Sequence, residues 1–164
     1  MKAQEELEKI LTFDATLKAK EELLERKDST LWRKYEELDR LASIAEKMTA
    51  TTEGEVVSRS RNLDPLGAAI AKKDEKEKEI EQVKKEIEQL EEDIAQLKSD
   101  HESRVAHYTG IIDNLRNPLF ITILYGKYFL GKSLRKIAKE TNYSYRNIRY
   151  QHTAALKAVD NAKK

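Results

Sequence analysis

Between positions 80 and 97 the apolar residues keep a strict seven-residue repeat: Ile80, Val83, Ile87, Leu90, Ile94 and Leu97. Steps alternating between three and four place them on one narrow stripe of a helix. The intervening positions are packed with Lys and Glu, as in EKEKEIEQVKKEIEQLEED. Such a pattern predicts a long helix that buries a seam and leaves the rest in water. After Leu97 the seam continues through His101, Val105, Tyr108, Ile112 and Leu115. Repeated steps of four there fit a four-residue stutter, which locally unwinds a supercoil. This long segment covers 66–115.

A second periodic stretch covers 1–49, where Ile10, Leu17, Leu24, Leu31, Leu38 and Ala45 recur every seven residues. Leu7, Tyr35 and Ala42 fall at the alternate seam positions, but so do Asp14, Glu21 and Asp28. The period predicts a helix with a polar stretch in the middle of its seam. Asp28-Ser29-Thr30 leaves open a break, with Ser29 or Thr30 capping a second helix that carries Trp32, Tyr35 and Leu38. Residues 50–65, ATTEGEVVSRSRNLDP, contain Gly54 and Pro65 and read as a flexible loop. Each long segment would span about 75 Å as one helix. Equal lengths and a loop predict an antiparallel hairpin; a parallel dimer of the second helix is the competing arrangement.

Composition agrees with long solvated helices: 37% of the residues are charged and 39% hydrophobic. There is no cysteine, so disulfides and thiolate metal sites are excluded. The longest apolar run, 119–124, is interrupted by Thr122 and is too short to cross a membrane. The polar N-terminus argues against a secretory signal, and a cytoplasmic location is expected.

The last stretch, 116–164, has a different grammar. Asn117-Pro118 is a helix start, with Asn as cap and Pro at the first position. The following LFITILYGKYFL predicts one apolar helix carrying Phe120, Ile121, Leu124, Tyr128 and Phe129, which Gly131 ends. Residues 133–159 then read as two short helices joined by a tight turn. Leu134, Ile137 and Ala138 line the first; Ile148, Ala155, Leu156 and Val159 line the second. Asn142 sits where a left-handed residue is needed, and Asn tolerates that conformation better than any residue except Gly. Ser133 and Ser144 are placed to cap the two helices. The expected fold is all-α: a long N-terminal coiled-coil helical hairpin followed by a three-helix domain with a helix-turn-helix.

On a wheel Arg146, Arg149, Tyr150, Thr153 and Lys157 lie opposite Ile148, a face with three cations and no acid. Arg grips phosphate or forks onto guanine, while Tyr and Thr bond phosphate or touch a thymine methyl. The candidate DNA-binding set is Lys132, Arg135, Lys136, Ser144, Tyr145, Arg146, Asn147, Arg149, Tyr150, Thr153 and Lys157. Charge is divided to match. Residues 116–164 hold eleven Lys and Arg against two acids, +9 in net, and the remainder carries −8. A basic module tied to an acidic arm is the footprint of a nucleic-acid binder with a separate interaction segment.

The residues LFITILYGKYFLGKSLRKIAKETNYSYRNIRYQHTAALKAV resemble region 4 of sigma-70-type transcription factors. The shared features are the stretch from Tyr128 to Leu134, Ile137-Ala138, Ser144, Ile148, Arg149 and Ala155-Leu156. With LDRLASIAEKMTAT and LGAAIAKKDEKEKEI, the whole chain resembles phage and prophage transcriptional regulators of the ArpU/RinA sort. The resemblance implies a recognition helix in the major groove, with Tyr145, Arg146, Arg149 and Tyr150 at base and phosphate contacts. It departs at the base-reading positions: housekeeping sigma factors place Arg then an acid where this chain has Tyr145 then Arg146, and Gln where it has Tyr150. The usual promoter element is therefore not the expected target. Segments for binding core polymerase and melting promoters are also missing, so initiation alone is not expected.

No catalytic constellation is evident. His101, His107 and His152 are scattered, and His101 and His107 are six apart, wrong for a one-turn metal pair. His101 falls on the seam, where packing is the simpler role, and His152 falls beside the stripe of Ile148. Neither a metal nor a cofactor is expected. The reading is a non-enzymatic, DNA-binding regulator that acts as a homodimer or other homo-oligomer on double-stranded DNA, with host RNA polymerase as a further candidate partner. Two alternatives stand beside it: a DNA-packaging adaptor like a small terminase subunit, and an interaction protein that binds polymerase without DNA. A ring of eight to ten copies, roughly, would favour packaging and a dimer regulation.

Overall fold

The computed structural model describes residues 2–52 and 65–162. Among them every regular element is helical and no strand occurs. The helices are α1 (Lys2–Leu11), α2 (Phe13–Thr52), α3 (Pro65–Asp113), α4 (Pro118–Leu124), α5 (Leu134–Glu140) and α6 (Tyr145–Ala162). A π-helical turn, Tyr125–Phe129, follows α4 directly. Most of the expected 50–65 loop lies outside the described residues; α2 runs on to Thr52 and α3 starts at Pro65.

Ser29 and Thr30 do not break the helix. Their hydroxyls bond back to the carbonyls of Glu25 and Arg26, each at 2.9 Å. A hydroxyl satisfied on the preceding turn sits inside a helix without ending it. The interruption falls instead at Thr12, between α1 and α2, and it is slight. Thr12 N–H still reaches the Glu8 carbonyl at 3.0 Å, and Thr16 N–H reaches that of Thr12 at 3.1 Å.

The chain divides into two compact units, Lys20–Asp93 and the pair of stretches Met1–Ala19 with Ile94–Lys164. Within the first, Ile80, Val83, Ile87 and Leu90 of α3 are buried. Lys20 of α2 pairs with Asp93, Lys27 with Glu86 and Lys34 with Glu79. Each step of seven up α2 is matched by a step of seven down α3, so the two segments run antiparallel. Lys76 adds Glu37 at 2.9 Å in the same register. The alternate seam positions of α2 are thus Lys20, Lys27, Lys34 and Leu41, all half-buried, whereas Asp14, Glu21 and Asp28 are exposed. The polar seam inferred from the sequence was placed on the wrong side of the leucine row. A lysine stem covers apolar surface while its ammonium reaches a carboxylate at the edge. Lys34 and then Lys76 hold the Glu79 carboxyl down to about 2. Such solvent-accessible pairs set register more than they stabilise.

The second unit is built around two clusters. One joins Ile123, Ile137, Ala138 and Ile148, from α4, α5 and α6. The other joins Ala3, Leu7 and Ile10 of α1, Tyr108 and Ile112 of α3, Leu124, Tyr128, and Ala155, Leu156 and Val159 of α6. The apolar stripe of α6 is therefore shared, its first turn facing α5 and its later turns facing α1 and α3. A three-helix unit confined to 116–164 was expected; the compact unit also takes in the N-terminal helix and the last turns of α3. The chain entry is fastened as well, since Ala3 N–H donates to Asp160 Oδ1 at 2.8 Å.

Candidate nucleic-acid interface

Local grammar positions α6. Asn117 Oδ1 accepts from Leu119 N–H at 3.0 Å with Pro118 at the first position, which starts α4. The predicted single helix 119–130 changes pitch partway, as Leu130 N–H bonds five residues back to the Tyr125 carbonyl at 3.0 Å. Tyr125 Oη donates to Asp113 Oδ1 at 2.8 Å. Gly126 faces α5: a Cβ there would lie 3.0 Å from Ile137 Cδ1 and 3.2 Å from its Cγ1, so a larger residue would require the Ile137 side chain to give way by a few tenths of an ångström. Gly131 closes the segment at φ +62°, a left-handed conformation that favours glycine.

Ser133 Oγ accepts from Lys136 N–H at 3.2 Å and starts α5. At its end Tyr143 N–H bonds to the Ala138 carbonyl at 3.1 Å and Asn142 N–H to that of Lys139 at 3.4 Å. This is a Schellman closure, with Asn142 at φ 57° as the left-handed residue. Ser144 Oγ then accepts from Asn147 N–H at 3.2 Å and opens α6. Both serine caps and the left-handed asparagine sit where the sequence put them.

Beneath α6 lies a buried polar pair. Tyr128 Oη and His152 Nε2 are 3.0 Å apart. Burial pushes the Tyr128 phenol up to about 12 and, with the Lys127 ammonium adding to it, His152 down to about 4. The imidazole is neutral at ordinary pH and anchors α6 to the π-helical turn. His101 stacks on Phe13, with ring centroids 3.6 Å apart, and burial lowers its pKa. No group of three or more metal-ligating side chains occurs among the described residues.

Of the candidate residues, Ser144, Tyr145, Arg146, Arg149, Tyr150, Thr153 and Lys157 are exposed together on α6 and its cap, Tyr150 to 71%. Arg146, Arg149 and Lys157 form no ion pair among the described residues. Asn147 is half-buried and its Oδ1 accepts from Gln151 Nε2 at 3.3 Å. Arg135 and Lys136 are exposed on α5, and the Arg135 guanidinium lies 5.6 Å from the centre of the Tyr145 ring. Lys132 is half-buried and tied to Glu140 at 2.7 Å. The two acids of the basic tail both have partners, Glu140 in Lys132 and Asp160 in the Ala3 N–H, and neither is among Arg146, Arg149, Tyr150, Thr153 and Lys157. Lys139 and Tyr143, missed in the sequence, are exposed at the turn between α5 and α6. Their place beside Asn142 was the available signal.

No helix among the described residues is long and apolar enough to cross a membrane. Comparison with family models, with curated proteins and with solved structures finds no match to this chain.

Proposed function

We propose that this chain is a DNA-binding transcriptional regulator of the phage and prophage kind, whose α5–turn–α6 is a helix-turn-helix with α6 as recognition helix. The observation that carries this reading is the acid-free face of Arg146, Arg149, Tyr150, Thr153 and Lys157, solvent-exposed while Ile148, Ala155, Leu156 and Val159 of the same helix are buried. A helix anchored by its whole apolar stripe presents its other side rigidly, which suits a major groove. Arg135, Lys136, Lys139 and the N-terminal end of α6 supply positive charge for phosphates on either side. The antiparallel α2 and α3 segments read as a coiled coil for self-association or for contact with host RNA polymerase. One such module covers few base pairs, so a homodimer on paired half-sites is the functional form.

Replacing Arg146 or Arg149 by Ala weakens duplex binding by about 1–3 kcal/mol where the side chain makes a bidentate base contact. Fluorescence anisotropy at moderate salt measures this, with circular dichroism to verify the fold. Affinity unchanged by both substitutions counts against the face, and absence of any duplex binding counts against the function.

A further inference from the structure

A cleft of about 500 Å³ lies where α1, the start of α2, α3 and the link from the π-helical turn to α5 come together. All of its lining residues belong to one compact unit, the one that holds α6. Its walls are largely apolar: Ile10 and Leu11 of α1, Val105 of α3, and Phe129 with Leu130. Leu11 and Leu130 remain 40% and 65% exposed, so the cleft is open to solvent at this edge. Two polar side chains line it as well. Asp14 is exposed and forms no ion pair or hydrogen bond among the described residues. His101 is half-buried, and its Nδ1 is buried without a hydrogen-bond partner. The Asp14 carboxylate acts electrostatically on the His101 ring, so the two groups are neighbours. Burial lowers the His101 pKa, which keeps the imidazole neutral at ordinary pH, with a lone pair as well as an N–H. No lysine or arginine lines the cleft.

A mostly apolar cleft of this size with a few convergent polar groups is the usual form of a small-molecule site. Its one carboxylate, with no cation beside it, sets the sign of the charge it favours. A buried nitrogen without a partner adds a place for a hydrogen-bonding group. We infer that this cleft binds a small organic cation, whose apolar body fills the space between Ile10, Val105 and Leu130 and whose ammonium group is held by Asp14 beside His101. The cleft shares no residue with the face of Arg146, Arg149, Tyr150, Thr153 and Lys157, so it can be tested without DNA.

The test uses the full chain, isotope-labelled. Three probes of similar shape are titrated into it: phenethylamine, a cation at neutral pH; phenethyl alcohol, which is neutral; and phenylacetate, an anion. Amide shifts in two-dimensional NMR report where each binds and how tightly. Saturable shifts at Ile10, Leu11, Val105, Leu130 and Gly131 are expected for the amine. It binds about fivefold more tightly than the alcohol, and phenylacetate binds more weakly than either. D14N, a change at an exposed position, removes the preference for the amine and leaves the affinity for the alcohol unchanged. Shifts confined to the acidic surfaces of α2 and α3 away from the cleft overturn the inference. Equal affinity for amine and phenylacetate, a preference that survives D14N, or no saturable binding of any probe overturns it as well. Each of these outcomes leaves the DNA-binding reading standing.

Discussion

His152 does its work by staying neutral. It is buried on α6 with Tyr128 Oη 3.0 Å from its Nε2, and burial holds its pKa at about 4 against 6.5 when unfolded. Between those values the unfolded chain binds the extra proton, so stability rises with pH across the window and is lost as pH falls from 6.5 toward 4. Burial lowers His101 as well, and it contributes in the same direction. H152Q keeps a polar partner for Tyr128 and removes the titration. Thermal melts of H152Q between pH 4 and 6.5 are expected to show a clearly shallower slope, the remainder belonging to His101 and, at the acid end, to ion-paired carboxylates such as Glu79. A slope equal to that of the native chain would show that His152 does not titrate differently on folding. His152 was legible in the sequence as a neighbour of the apolar stripe; its partner was not, because Tyr128 lies 24 residues away.

At the scale of elements the turn between α5 and α6 is decided by short-range chemistry. Asn142 at φ 57° and the two serine caps involve residues within five positions of one another, and all three could be read in advance. N142G is expected to stay within about 0.5 kcal/mol of the native chain, since glycine takes the left-handed conformation freely. N142V is expected to cost about 2 kcal/mol in urea denaturation, because a β-branched side chain clashes there. Equal stability of the two variants would mean that the turn had re-formed with another geometry. The π-helical turn after α4 was not legible. LFITILYGKYFL satisfies an ordinary helical pattern, and the change of pitch serves packing that lies outside it, with Gly126 against Ile137 and Tyr125 on Asp113.

For the molecule as a whole, the notable assignment is that of α1. The heptad pattern placed residues 3–10 in an N-terminal arm, yet Ala3, Leu7 and Ile10 are buried against the later turns of α6. Leu7 is fully buried, so L7A is expected to cost about 2–5 kcal/mol in denaturation. Leu7 belongs to the cluster of α1, α3 and the later turns of α6, and not to the one that holds Ile148 at the start of that helix. A cost below about 0.5 kcal/mol would show that α1 is dispensable to this unit. The lysine register between α2 and α3 carries the same lesson. Lys20, Lys27 and Lys34 repeat every seven residues in plain view, but only the positions of Asp93, Glu86 and Glu79 show which side of the leucine row is the seam.

The amino-acid sequence by itself determined that the chain is helical, where most helices start and stop, the left-handed turn before α6, and which side of α6 carries cations. These follow from periodicity and from bonds made within a turn or two, information carried by neighbouring residues. Only the tertiary structure decided that α1 joins the unit of α6, that the alternate seam of α2 is lysine, and that Asn147, Lys132 and the two acids of the tail are spent on internal partners. Those outcomes depend on which of several similar apolar stripes and charged groups meet across a long separation, as Ala3 and Asp160 do at 157 residues. A local pattern limits the possible partners, and packing of the whole chain selects among them.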